Sequence, residues 1–391
     1  MKILLLALDK IANSPRPDRV ISYLNSNCFY PHVWALSAPK QERKLSSFRL
    51  LRRSLSTNPV LSRFLTLLFL VVWRICPTRR LFEYVSELRY GIRKLPDKER
   101  TEEFDLVWIE SIWLLPIAFV LNARVTIFDA REHFLSQRND SLIFRIFEKP
   151  ILSRICNNYL RRVDFLYTVS SGLSNLYRRD YEVCMRVVHS TPSLNPLIYP
   201  HPAHFPFRLV HHGVANRNRS LEQLIYIARA LPEMVVLSFF LTGDQNEIKR
   251  LKTIADEMPN VEFCSPVPMT DIVQTMNNYD LGLVYWPPTT ENLINSAPNK
   301  FFEYLHAGVA VVCAPLPSIA PIVDEYDCGI MAESFDRDSV VSLIKNLSAA
   351  DITRMKYNAR KAAEKYSFEN ESIVFEEFLK RTASYKKSNS E

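Results

Sequence analysis

The stretch NSAPNKFFEYLHAGVAVVCAPLPSIAPIV, residues 295–323, carries the residue types that can seat a phosphate. Pro298 stands where a helix would begin, because its fixed φ suits a first helical turn, and Ser296 is a capping candidate. The free amides of such a helix start, with Asn299 and Lys300 in the first turn, form a cradle for an anion. Glu303, four residues beyond Asn299, returns to the same side of the helix. A carboxylate at that reach from a phosphate can accept both hydroxyls of a ribose. Ala307 and Gly308 then close the helix, and the strand VAVVC follows. The chemistry this spacing supports is binding of a nucleotide phosphate.

Other clusters carry weaker signals. DAREH brings Asp129, Glu132 and His133 together. Asp129 and Glu132 are candidates for an acceptor-side base or for orienting His133, since a general base must reach the attacking hydroxyl. HExxH spacing is absent and the cluster has no partner, so no metal is expected. Ser170 and Ser171 read as helix caps, and the lack of GxSxG excludes a hydrolase elbow. Trp286 reads as a packing residue, with stacking on a base or sugar as the alternative. Arg16 and Arg19 are either contacts to an anionic acceptor or solvated arginines at a helix start.

The elements that must position these residues alternate. Short apolar runs at Lys2–Leu8, His32–Leu36, Asp105–Glu110, Arg124–Phe128, Phe165–Val169 and Arg186–His189 read as strands, with helical periodicity over Pro17–Ser26 and 141–162. Such alternation predicts an open parallel sheet. NPLIYPHPAHFPF then places four prolines in eleven residues, which reads as a linker at 198–206. The pattern restarts with strands at Leu209–His212, Val235–Leu241, Val261–Cys264, Leu281–Tyr285 and Val309–Cys313. Helices fit Ser220–Ala230, Glu247–Met258, Thr270–Asn277, Asn299–Ala307 and 351–382. The sequence therefore predicts an α/β protein of two Rossmann-like domains facing across a cleft, 1–197 and 207–365, with a final helical segment at 366–391 returning to the first.

The chain has 391 residues, 47% of them hydrophobic, which supports two sizeable cores and excludes wholesale disorder. Its seven cysteines form no CxxC pair, so neither a disulfide framework nor a zinc knuckle is expected. The net charge of +7 is concentrated. Residues 40–100 hold 15 Lys/Arg against 5 Asp/Glu, a local +10, so the rest of the chain sums to −3. Apolar clusters with Phe48, Phe64, Phe69 and Trp73 interleave with these cations. Either the region meets an anionic membrane surface, or its helices pack on the first domain with the cations solvated. The apolar run Phe64–Trp73 is too short to span a bilayer. No nucleic-acid-binding module accompanies the charge, and no nucleic-acid partner is expected.

PNKFFEYLHAGVAVV resembles the donor-site signature E-x7-E of the group 1, family 4-like glycosyltransferases with the GT-B fold. HHGVANRNRSLEQLIYIARAL resembles the strand, loop and helix that open their donor domain. In the first domain, MKILLLALDKIANSPRPDRV, the DAREH segment and TVSSGL carry a weaker likeness. The resemblance implies that Glu303 holds the ribose, that Lys300 lies near the donor phosphates, and that Arg219, helped by Arg217, neutralises the diphosphate. It places His133 near the donor sugar. The first Glu of the signature falls on Asn295, which can hydrogen-bond sugar hydroxyls without carrying charge. No tightly bound cofactor is implied; the donor is a nucleotide-diphosphate sugar, a UDP-sugar by first choice. The acceptor read from the basic region is a lipid-linked surface glycan, of capsule or lipopolysaccharide type, at the cytoplasmic face of the membrane. A sugar-nucleotide epimerase of the same fold and a non-catalytic membrane-bound binding protein are the alternative classes.

Overall fold

The computed structural model describes residues 1–51, 58–76, 78–90, 92, 101–138 and 141–388. The chain divides into two compact units, Met1–Val188 with Ser372–Glu391, and His189–Glu371.

Unit 1 is built on a seven-stranded sheet in the order β3-β2-β1-β4-β5-β6-β7. The strands are β1 (Ile3–Leu6), β2 (His32–Ala35), β3 (Ser47–Leu50), β4 (Glu103–Ile109), β5 (Asn122–Ala130), β6 (Phe165–Thr168) and β7 (Arg186–Val187). All pair in parallel, with Leu4 opposite His32 on one side and Val107 on the other. Continuous apolar runs such as ILLL are what a parallel sheet covered on both faces demands. β3 has no such run: SFRL lies at the sheet edge, largely exposed, and nothing in its composition announces a strand. The order reverses between β1 and β4, so the residues after these two strands sit at a topological switch point.

Helices α1 (Pro15–Ser26), α2 (Pro59–Ile75), α3 (Arg79–Tyr90), α4 (Lys149–Tyr159) and α5 (Ser171–Tyr181) also belong to unit 1. Asn58 caps α2 by accepting from the amides of Val60 and Leu61 at 2.9 and 3.2 Å, and Pro59 occupies the first turn. Helix α2 packs on the unit on one side and leaves an apolar side exposed. Trp73 is buried, stacked on Phe82 and Trp113 with centroids 6.0 and 5.6 Å away. Val60, Phe64, Leu68 and Ile75 point outward. Arg52, Arg53, Arg93 and Lys94 lie outside the described residues. No described helix is long and apolar enough to cross a membrane. The C-terminal helix Ile373–Ser388 closes unit 1, seating Phe375 edge-on to Trp108 (4.9 Å) and Phe378 on Phe165 (4.7 Å).

Unit 2 carries a six-stranded parallel sheet, β10-β9-β8-β11-β12-β13. Its strands are β8 (Phe207–Ala215), β9 (Val235–Gly243), β10 (Val261–Cys264), β11 (Leu281–Val284), β12 (Ala310–Cys313) and β13 (Gly329–Met331). The covering helices include α6 (Glu222–Arg229), α7 (Gln245–Ile254), α8 (Asn299–Ala307) and α9 (Ala349–Lys365). Gly308 ends α8 in the left-handed region (φ 64°).

The proline-rich segment 198–206 is not a free linker: it belongs to unit 2. Ile198 and Ala203 are buried, the Tyr199 carbonyl accepts from Asn277 Nδ2 (2.9 Å), and the Ala203 amide donates to Thr353 Oγ1 (3.0 Å). Proline density excludes helix and central strand, but an extended chain with apolar side chains still packs on a surface. The unit boundary therefore falls at Val188, nearer the amino terminus than composition suggests.

Inside unit 2 a buried ion pair ties α9 to the sheet. Lys356 Nζ donates to Asp280 Oδ1 (3.0 Å) and to the Tyr279 carbonyl (2.8 Å), while Asp280 Oδ2 accepts from the Arg208 amide (2.9 Å). Asp280→Ala leaves a buried ammonium unpaired and should cost about 3–5 kcal/mol. Urea unfolding of the full chain measures it; a loss under about 1 kcal/mol would show that the pair is not holding the helix.

Candidate active site

The phosphate-type residues converge at the carboxyl end of β8. Strand β8 delivers His211, His212 and Gly213 there, a tight turn follows at Arg217–Arg219, and α8 brings its first turn alongside. Gly213 has φ 135°, which side-chain-bearing residues rarely adopt, and a Cβ there would lie 3.6 Å from Lys300 Nζ. The backbone thus passes directly beside the Lys300 ammonium.

Lys300 Nζ lies 3.0 Å from His211 Nε2. The other ring nitrogen, Nδ1, donates to the Leu283 carbonyl at 3.2 Å, so Nε2 presents a lone pair and accepts from the ammonium. Burial, then the charge on Lys300, holds the His211 imidazole well below its ordinary range and therefore neutral. Burial also brings Lys300 down to about 7; the Arg219 charge adds to this and Glu303 opposes it. One turn along α8, Glu303 Oε2 is 3.3 Å from His212 Nε2. His212 is pushed down to about 3 by burial and by Lys300, so this contact joins a neutral ring to the carboxylate. Lys300 and Glu303 share one face of the helix start, as their spacing requires.

The remaining donor-side residues separate. Arg219 lies over the Trp286 ring at 5.2 Å and is close enough to depress Lys300, whereas Arg217 is exposed and acts on Glu247. Trp286 is buried with Nε1 donating to the Leu293 carbonyl (3.3 Å), the packing role. Pro298, not Ser296, stands at the N-cap of α8, and it offers no side-chain acceptor. Ser296 Oγ instead donates to the Leu293 carbonyl (3.0 Å), closing the short helix Glu291–Asn295. The amides of Asn299 and Lys300 begin the helix without a side-chain cap, the condition for meeting an anion. Asn295 Nδ2 donates to the Glu291 carbonyl (3.0 Å) within the short helix that precedes α8.

DAREH does not form one site. Asp129 is fully buried in a two-pronged ion pair with Arg16, through Nε and through Nη2 (3.1 Å), which removes it as a base. Arg16 is therefore neither solvated nor available to an acceptor; its Nη1 donates to the Val188 carbonyl (3.0 Å). Glu132 is exposed, and its carbonyl accepts from the Tyr177 hydroxyl (2.8 Å). His133 is 1% exposed, with Nδ1 2.9 Å from Ser136 Oγ, Nε2 3.2 Å from Asp180 Oδ2, and Tyr177 edge-on. Enclosed by α5 in this way, it has no surface to offer a sugar. The expected catalytic grouping of His133, Asp129 and Glu132 is thus dispersed by packing.

Sequence reading missed Glu110. It follows β4 at the switch point, 1% exposed, and neither carboxyl oxygen has a hydrogen-bond partner. Arg131 Nη2 donates to its backbone carbonyl (2.6 Å) and to Asp9 Oδ2 (2.6 Å), not to its side chain. Only its position directly after an apolar strand could have flagged it.

Residues 207–350 match the family described as Glycosyl transferases group 1. Solved structures share the fold across nearly the whole chain. Sucrose-phosphate synthase from Thermosynechococcus elongatus is 13% identical, with 98% of this chain and 100% of that one covered and a TM-score of 0.70. Anabaena HepE in complex with UDP and glucose is 12% identical, with 97% and 99% covered and a TM-score of 0.66. A glycosyltransferase from Rickettsia africae is 13% identical, with 98% of each chain covered and a TM-score of 0.62. No curated protein sequence matches. The chain has the GT-B fold, and residues 207–350 of its second unit are similar to the group 1 glycosyl transferases.

Glu110 also sets a pH dependence. Burial, with the Asp129 charge adding, raises its carboxyl from 4.5 to about 8. The folded chain keeps this proton over a range where the unfolded chain releases it, so stability falls as pH rises from about 4.5 to about 8. Glu110→Gln removes that term and should raise the Tm at pH 8.5 more than at pH 5. Equal shifts at both pH values would contradict the assignment.

Proposed function

We propose that the protein transfers one sugar from a nucleotide-diphosphate sugar, a UDP-sugar by first choice, to a lipid-linked glycan acceptor. The observation that carries the donor half is Lys300 and Glu303 on one face of an uncapped helix start, beside Gly213. In this reading the diphosphate lies on Lys300, Arg219 and the first amides of α8, and Glu303 accepts from the ribose hydroxyls. Negative charge grows on the diphosphate as the bond to the sugar breaks, and cations already fixed there lower the barrier. The UDP and glucose bound to HepE support the choice of nucleotide. Unit 1 is the acceptor-binding part in this reading.

Titration calorimetry with UDP, GDP, dTDP and CMP tests the donor half. One nucleoside diphosphate should bind, and Glu303→Ala should weaken it roughly ten- to hundredfold, the worth of hydrogen bonds to a charged group. Undiminished binding by the variant would remove Glu303 from the site. Binding without turnover on any lipid extract would favour a non-catalytic binding protein.

The acceptor half rests on α2. Its outward face exposes Val60, Leu61, Phe64, Leu67, Leu68 and Ile75, and the segment Phe144–Glu148 packs beside it next to exposed Leu142 and Ile143. An apolar patch of this extent, within a region of local charge +10, suits the headgroup boundary of an anionic bilayer. The full chain should sediment with vesicles containing phosphatidylglycerol and far less with phosphatidylcholine alone. Phe64→Ser with Leu68→Ser should abolish sedimentation while leaving nucleotide binding intact; retention by the double variant would sink the membrane reading.

A further inference from the structure

Resting on the donor-site reading above, we infer that His211 is the positioning residue for Lys300, holding the ammonium beside Gly213 for delivery to the donor diphosphate. Three observations converge. The Leu283 carbonyl takes the Nδ1 proton and so fixes the tautomer, leaving Nε2 able only to accept. Nε2 lies 3.0 Å from Lys300 Nζ, and His211 is 2% exposed, so the ring has no alternative orientation in water. The residue two beyond it in the strand is Gly213, whose missing side chain leaves open the space next to the ammonium.

The charged and titratable groups facing Lys300 are few: Arg219 from the turn after β8, Glu303 from α8 itself, and His211 and His212 from β8. Arg219 repels the ammonium and Glu303 favours it, while both imidazoles are neutral. The neutral Nε2 is thus the one acceptor seen within hydrogen-bond distance of Nζ among the described residues. Half-buried beside these groups, Lys300 is close to half-protonated at neutral pH, since burial brings it to about 7. An incoming diphosphate favours the charged form. Above pH 7 binding then takes one proton from the buffer onto Nζ, and affinity falls as pH rises, by up to tenfold per unit.

Two readouts test this on the full chain. The first needs no nucleotide: NMR titration of lysine labelled at Cε and Nζ, with Lys300 assigned by Lys300→Arg. Wild type should titrate near pH 7, and His211→Phe, which keeps an aromatic ring but has no acceptor, should titrate lower. The second is calorimetry with UDP, GDP and dTDP between pH 7 and 9, above the last phosphate ionisation near 6, in buffers of different ionisation enthalpy. Wild type should take up close to one proton at pH 8. His211→Phe should bind roughly ten- to hundredfold more weakly, with the break in the pH profile moved down. His211→Gln, whose amide oxygen can accept, should recover part of both, which a purely structural role would not produce. If Lys300 titrates alike in wild type and His211→Phe, or in the ordinary lysine range, the inference is overturned whatever the nucleotide does. If Lys300 behaves as expected but no nucleoside diphosphate binds, the donor-site reading falls and takes the delivery role with it.

Discussion

The second unit depends on one constraint: an ammonium half withdrawn from water at the start of α8 must be given an acceptor without being met by a full counter-ion. A carboxylate against Lys300 would satisfy it completely and leave nothing for a ligand. A neutral imidazole satisfies it only in part. His211 supplies that partial satisfaction, and it does so because the Leu283 carbonyl has already taken its other nitrogen's proton. The same economy governs Glu303, whose nearby ring is the neutral His212. Both charged groups of the helix start are therefore neighboured by uncharged rings from a single strand.

Unit 1 uses its charges differently. Arg16 and Asp129 saturate each other in the interior, Arg131 is shared between Asp9 and the Glu110 carbonyl, and Lys40 and Arg43 both meet Asp18. Paired in this way, the charges at the carboxyl ends of β1 and β5 brace the sheet. The Glu110 side chain is the exception, a carboxyl at the switch point whose two oxygens have no hydrogen-bond partner. Burial of that kind keeps a carboxylic acid neutral.

The long helix α2 shows how one apolar segment can serve two faces. Trp73 and Leu70 anchor it in the core, and the apolar residues on its opposite side remain uncovered. A helix needs only a stripe of apolar residues to pack on a domain. The surplus on α2 is what sets this region apart from an ordinary covering helix.

How much of this was legible in the sequence can be argued element by element. The strands ILLL, LVWI and AVVC are apolar throughout, and only a sheet covered on both faces buries such runs, so the α/β class follows from composition and order. The helix over Asn299–Ala307 is marked at both ends by Pro298 and Gly308, so the spacing of Lys300 and Glu303 on one face was also determined locally. Edge strand β3 and the packed segment 198–206 were not legible, because neither has a local signature and both are held by long-range contacts. DAREH illustrates the limit most sharply. Four polar residues within five positions point in different directions, and Asp129 meets an arginine 113 positions away. His211 is the converse: a histidine in an apolar strand reads as core until the fold brings Lys300 to it from 89 residues away. Periodicity and capping are local energies and are written in sequence. Which buried charge meets which partner depends on desolvation and on contacts between distant segments, and only the tertiary structure decides that.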